Sequence, residues 1–543
     1  MKSHLVPFFF RFMWIKRGIG VVLSMLWVLS SSVVHAKNHP FAPADQVGPY
    51  KIGYKRVELV DPSRDAAFGG RTLVTHIWYP IDDADAAGAI PVIYDAGLAS
   101  LGLFGIPVSH AIFRSPFGAL VDASSTLPPS GDISGACPPS PPLADPCATS
   151  VIVGLPISSR GPFPLLMFSH GANVDPHFYV SLTEYLASHG YIVVAPEHTG
   201  NRLVDNYALG LTGLDCGALP IRPCRDANTK SAVDRPQDIR FVLDQVLAGN
   251  ASVAPAAIDA SRIGMYGHSF GGYTTLAVAG GTVSGALPDS RIKAIAPLSP
   301  PASFFAFIDP GLVPLTGNIG VPALVSFGQA DLTLGINFVD QGREIFTDLD
   351  TRAVGEKYRV EIQRGVHGGF TDICAFLAGN LEAIQQGNAS PLDPINLVAF
   401  LTFDGQLPPS PPAAVGKSRD GPQAICSPAL FYRPDNFAVW NAVTLLPPAP
   451  PIPLSAFLFP ADLIPGYIDS SSTYIPSLVS STHLQIVNTE VVAFFNKHLT
   501  GDMRYHHYLL PSYAHAKQLA AEVEYCKATP GNAEVCFDKH SRE

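Results

Sequence analysis

Ser269, Asp331 and His367 are residue types that together could carry out nucleophilic acyl chemistry. Ser269 lies in Gly267-His268-Ser269-Phe270-Gly271, a G-x-S-x-G pattern. A serine hydroxyl is a weak nucleophile until a base takes its proton, and an imidazole oriented by a carboxylate is well suited to do so. Asp331, after Gly328-Gln329-Ala330, and His367, inside Arg364-Gly365-Val366-His367-Gly368-Gly369-Phe370, follow the serine in the order acid, then base. The tetrahedral intermediate would also need two N–H donors. The backbone of Phe270 supplies one, and Ala172, just past Phe168-Ser169-His170-Gly171, is placed to supply the other. His170 itself reads as a packing and turn residue.

The pattern is short, so its setting must carry the claim. Arg262 to Tyr266 reads as a strand running straight into the serine turn, and Phe270 to Ala279 as a helix running out of it. Eight apolar runs read as strands: Arg56 to Val60, Arg71 to Tyr79, Pro164 to Phe168, Tyr191 to Ala195, Arg262 to Tyr266, Ile292 to Leu298, Ala323 to Phe327 and Tyr358 to Gln363. Helices are expected over Phe178 to Ser188, Pro236 to Ala248, Phe270 to Ala279 and Thr489 to Leu499. This alternation predicts an α/β fold: a mostly parallel eight-stranded sheet flanked by helices, its first two strands forming an antiparallel edge. Ser269, Ala172, Asp331 and His367 then all lie just beyond strand ends.

Only 15% of the 543 residues are charged and 47% are hydrophobic. This composition argues against disorder and for a large core. The formal net charge of −10, without a dense basic block in the body of the chain, gives no footprint for nucleic acid. Lys2, Arg11, Lys16 and Arg17 precede an apolar run that closes in Val34-His35-Ala36, the form of a cleavable export signal, with Lys37 as the expected mature N-terminus. The expected location is therefore periplasmic or secreted, with no membrane span in the mature chain.

The eight cysteines fit an oxidising compartment, and their spacing suggests staples in loops: Cys137 with Cys147, Cys216 with Cys224, Cys374 with Cys426, and Cys526 with Cys536. No HExxH or CxxC spacing points to a metal, and no cofactor is expected. Residues 37–375 are read as the core, with insertions at 82–160 and 200–230. A Pro-rich insertion at 376–482 is read either as a roof over the mouth or as decoration of the surface. A C-terminal core helix at 483–510 and a disulfide-bearing tail at 511–543 follow.

Several stretches together resemble the α/β-hydrolase superfamily, specifically predicted dienelactone hydrolases and platelet-activating-factor acetylhydrolases. They are Val47-Gly48-Pro49-Tyr50, Ile77-Trp78-Tyr79-Pro80, Phe168-Ser169-His170-Gly171, Leu186-Ala187-Ser188-His189-Gly190-Tyr191, Asp234-Arg235-Pro236-Gln237-Asp238-Ile239 and the serine turn. The resemblance implies a Ser269, Asp331, His367 triad with Ala172 and Phe270 as oxyanion donors, acting on carboxylic esters through an acyl-enzyme. It departs from dienelactone hydrolases proper, whose nucleophile is Cys. Some acetylhydrolases place the acid one strand earlier, where the first carboxylate here is Asp309. Cutinase-like relatives place the base nearer the last helix, where His483 is the rival to His367. The expected partner is an apolar ester of short or medium acyl length, lipid-like or polymeric. A noncatalytic binding module on the same fold, or a peptidase or amidase, are the competing readings.

Overall fold

The structure is a computed structural model that describes residues 40–97, 110–126, 152–172, 174–202, 222–333, 336–372, 466–468, 474–476, 478, 480–528 and 533–540. All eight expected strands are present: β1 (Lys51–Asp61), β2 (Arg71–Ile81), β3 (Phe163–Ser169), β4 (Ile192–Pro196), β5 (Ile258–His268), β6 (Ile292–Leu298), β7 (Ala323–Gly328) and β8 (Glu356–Ile362). In space they run β8-β7-β6-β5-β3-β4-β2-β1. The six from β4 to β8 pair in parallel, while β2 is antiparallel to both β1 and β4. This mixed sheet with helices on both faces has the α/β-hydrolase fold. Strands buried on both faces need apolar side chains at every position, and β3, β4 and β7 are buried along their whole lengths.

The expectation of an eight-stranded sheet is corrected to a twelve-stranded one among the described residues. Beyond β8 lie β9 (Ala521–Ala528) and β10 (Glu534–Phe537), both antiparallel, and the bridge Cys526–Cys536 joins that hairpin. Beyond β1 lie the two-residue segments Leu120–Val121 and Ile90–Pro91. Neither the first two strands nor β8 is therefore a free edge.

Five longer helices cover the sheet: α1 (Val180–Ser188), α2 (Arg222–Leu247), α3 (Phe270–Gly280), α4 (Phe338–Asp348) and α5 (Ser480–Phe495). Two cores result. On one face Leu182, Leu186, Ile486, Val491 and Phe495 of α1 and α5 pack with Leu166, Tyr266 and Tyr358 of the sheet. On the other, Ile239, Val242 and Val246 of α2, Leu276 of α3 and Ile345 of α4 pack with Met167, Met265 and Val325.

Helix α2 begins fourteen residues before Pro236, where a proline-started helix was expected. The polar residues of its first turns lack an apolar stripe, so periodicity misses them. Cys224 consequently lies in a helix rather than a loop, with its side chain outside the described residues. Cys137, Cys147, Cys216, Cys374 and Cys426, the signal segment 1–36 and most of the insertion 376–482 also lie outside them. No helix among the described residues is long and apolar enough to cross a membrane.

Candidate active site

Strand β5 delivers the chain into Ser269, which has φ 56 and ψ −121, a left-handed conformation costly for any residue with a Cβ. Helix α3 starts on the next residue. The turn is tight enough that a Cβ on Gly271 would overlap the Ser169 carbonyl at the end of β3, so only glycine fits there. The same closeness brings the turn that carries Gly171 and Ala172 to Ser269. A Cβ built on Gly171 would stand 3.5 Å from that of Ser269.

Phe270 is the first residue of α3, so its N–H has no carbonyl one turn back to bond. Ala172 packs against the cluster of Phe270, Tyr273 and Phe305, with Phe304 beside it. Among the described residues neither the Phe270 nor the Ala172 N–H has a hydrogen-bond acceptor. A buried aromatic cluster thus lies next to both expected oxyanion donors.

Asp331 and His367 come together from the turns after β7 and β8. The His367 Nδ1 lies 2.9 and 3.1 Å from the two Asp331 carboxylate oxygens. An ionised carboxylate only accepts, so Nδ1 carries the hydrogen and Nε2 keeps the lone pair a base requires. Asp331 is fully buried and also accepts the Ser299 hydroxyl at 2.5 Å. The His367 ring is held between Phe338 and His268, at ring-centre distances of 4.2 and 4.4 Å. His268 directly precedes Ser269, which sets the imidazole beside the serine turn.

The rivals are placed differently. Asp309 accepts the Gly311 N–H at 2.8 Å and caps a short turn. His483, in α5, is buried against the edge of Phe370 at 4.4 Å. Neither of its nitrogens has a hydrogen-bond partner among the described residues, and burial pushes it down to about 3.

Sequence reasoning missed Ser299, Phe338 and a buried polar cluster behind the turn bearing Ala172. In that cluster Arg235, with no exposed surface, donates to the carbonyls of His170 and Gly171 at 2.7 and 3.0 Å. Its guanidinium lies 4.4 Å over the Phe270 ring. Burial lowers Arg235 to about 9 against the opposing charge of Asp238, which leaves it cationic at neutral pH. Asp238 accepts from Arg64, from Nε and Nη2 of Arg71 and from His198, and is held well below the usual carboxylate range despite burial. The signal for this cluster was the Asp234-Arg235-Pro236-Gln237-Asp238 stretch, which carried a resemblance without a role.

Among the described residues, one group of His, Cys, Asp or Glu has metal-ligand spacing: Glu524, Cys526 and Cys536. Its two sulfurs are joined as a disulfide.

Residues 139–205, which include β3, the turn bearing Ala172 and β4, match the chlorophyllase family model. The chain is similar to platelet-activating factor acetylhydrolase of Cavia porcellus, 26% identical over 144 residues, covering 22% of this chain and 33% of that one. It is also similar to a probable 1-alkyl-2-acetylglycerophosphocholine esterase of Arthroderma benhamiae, 33% identical over 138 residues, covering 24% of this chain and 30% of that one. The chain spans about a third of the length of these curated relatives. A ferulic acid esterase from Streptomyces cinnamoneus aligns in structure over 85% of this chain and 92% of its own, with 18% identity and a TM-score of 0.40.

Proposed function

We propose that the chain is an exported serine hydrolase that cleaves carboxylic esters of short or medium acyl length. The observation that carries this reading is the Asp331–His367 pair beside a serine in a left-handed turn at a strand-to-helix junction. In the proposed mechanism, the Ser269 oxygen attacks the ester carbonyl as its proton passes to Nε2 of His367. The carbonyl oxygen becomes an anion that the N–H groups of Phe270 and Ala172 stabilise. Collapse breaks the bond to the alcohol, which leaves with the proton returned by His367. Water, activated by the same imidazole, then hydrolyses the acyl-enzyme. Asp331 keeps Nδ1 protonated and stabilises the imidazolium throughout.

The aromatic cluster of Phe270, Tyr273, Phe304 and Phe305 beside both donors supports an apolar acyl group, so lipid-like and polyester substrates belong in the proposed class. The similarity to an acetylhydrolase and to a probable glycerophosphocholine esterase supports an ester carbonyl as the reacting group. The basic N-terminal segment and the paired cysteines support export.

A serine-directed organophosphonate should label Ser269, and Ser269→Ala should lower kcat by about 10⁶-fold. A folded wild-type chain that takes no label, or a variant that keeps more than a tenth of wild-type activity, overturns the assignment. Chromogenic esters of increasing acyl length, run beside a polyester film and a phospholipid, fix the substrate.

A further inference from the structure

We propose that Arg235 is a positioning residue for the oxyanion site, acting on Ala172 through the carbonyl of Gly171; the inference rests on the esterase reading above. Every non-proline peptide bond in the described residues is trans, and a trans peptide is planar with its C=O and N–H pointing in opposite directions. Whatever fixes the Gly171 carbonyl therefore fixes the Ala172 N–H on the far side of the same plane. Two donors hold that carbonyl: Arg235 Nη2 at 3.0 Å and His170 Nδ1 at 2.7 Å. Arg235 Nη1 holds the preceding carbonyl, of His170, at 2.7 Å. The Gly171 N–H donates to Tyr179 Oη at 3.0 Å. Both peptide planes flanking Gly171 are thus set, and the single group touching the two carbonyls is one planar guanidinium, whose fork suits that task. The same guanidinium lies over the ring of Phe270, the other donor residue.

A second network fixes His170. Ser169 Oγ is 2.8 Å from His198 Nε2, and His198 Nδ1 is 3.0 Å from Asp238 Oδ2. This has the hydrogen-bond pattern of a nucleophile, base and acid, but all three side chains are sealed from solvent. It serves as a frame. The His198 backbone N–H donates to His170 Nε2 at 2.9 Å, which leaves Nδ1 as the protonated nitrogen that faces the Gly171 carbonyl. Arg235 is in turn anchored by Asn201, whose Oδ1 accepts from its Nε at 3.0 Å and from Nη2.

The test compares wild type, Arg235→Met and Asn201→Ala on a nitrophenyl ester and on the corresponding thionoester, whose sulfur anion accepts hydrogen bonds poorly. Wild type should cleave the oxygen ester far faster. Arg235→Met should lose about 10²-fold in kcat on the oxygen ester with KM changed less than threefold. Its preference for oxygen over sulfur should shrink by a similar factor, and its pH profile should stay where wild type has it. Asn201→Ala should move both readouts the same way by about tenfold, and it decides the matter if Arg235→Met does not fold. Variants that fold and keep kcat within threefold of wild type overturn the inference. So does a loss that falls equally on both esters, which is what general loosening of the structure would cause. Wild type is measured first: if it neither cleaves esters nor takes the phosphonate on Ser269, the parent reading fails, and this one with it.

Discussion

His367 and His483 are both buried imidazoles, one in the turn after β8 and the other in α5 against Phe370 of that turn, and what separates them is a carboxylate. His367 has Asp331 as a hydrogen-bond partner, while neither nitrogen of His483 has a partner among the described residues and burial holds it down to about 3. A base must gain and give back a proton in each turnover, and the proposed mechanism gives that part to His367, the imidazole with a carboxylate partner. His367→Ala should lower kcat by about 10⁴-fold or more, whereas folded His483→Ala should keep more than a tenth of wild-type activity; nitrophenyl ester assays on the two variants check this. Ser269, Asp331 and His367 are legible in the sequence because each lies a few residues past the end of an apolar run, a local signal. Ser299 and Arg235 are not, because each meets the site across folded contacts, 32 residues from Asp331 and 65 from His170. Nothing in their own neighbourhoods announces those partners.

At the scale of elements, β3 and β5 lie side by side, so the turns after them must share very little space. Gly271 is where they meet, and its missing Cβ lets the serine turn approach the Ser169 carbonyl. Gly271→Ala should therefore destabilise the fold by about 3 kcal/mol or more, read as a lower denaturation midpoint in urea, together with loss of esterase activity. Strands β3, β4 and β7 are legible because strands buried on both faces are continuous apolar runs. The segments Leu120–Val121 and Ile90–Pro91 are too short to leave any pattern. Strand β9 does leave one: Ala521 to Tyr525 alternates buried and half-buried positions, the period-two signature of a strand with one face covered. Reading that stretch only as a cysteine-bearing tail hid it.

Across the whole molecule, stability depends on what α5 seals. Glu490 of that helix is buried, neither of its oxygens has a hydrogen-bond partner among the described residues, and burial pushes its carboxyl up from 4.5 to about 8. The folded chain keeps a proton there that the unfolded chain releases above about pH 4.5. Stability is unaffected below that pH, falls as pH rises towards about 8, by at most about 1.4 kcal/mol per unit, and levels off above. Glu490→Gln should remove this dependence, so the gap in thermal midpoint between variant and wild type should widen from pH 5 to pH 8. A constant gap would place the cost elsewhere. The order in which the sheet can be completed during synthesis follows from β9 and β10. Strand β8 carries the turn that holds His367, yet the strand that covers its outer edge arrives only after more than 150 further residues have left the ribosome. Through that interval a half-made chain presents an open row of backbone donors and acceptors, the point at which a neighbouring chain or a chaperone would first take hold.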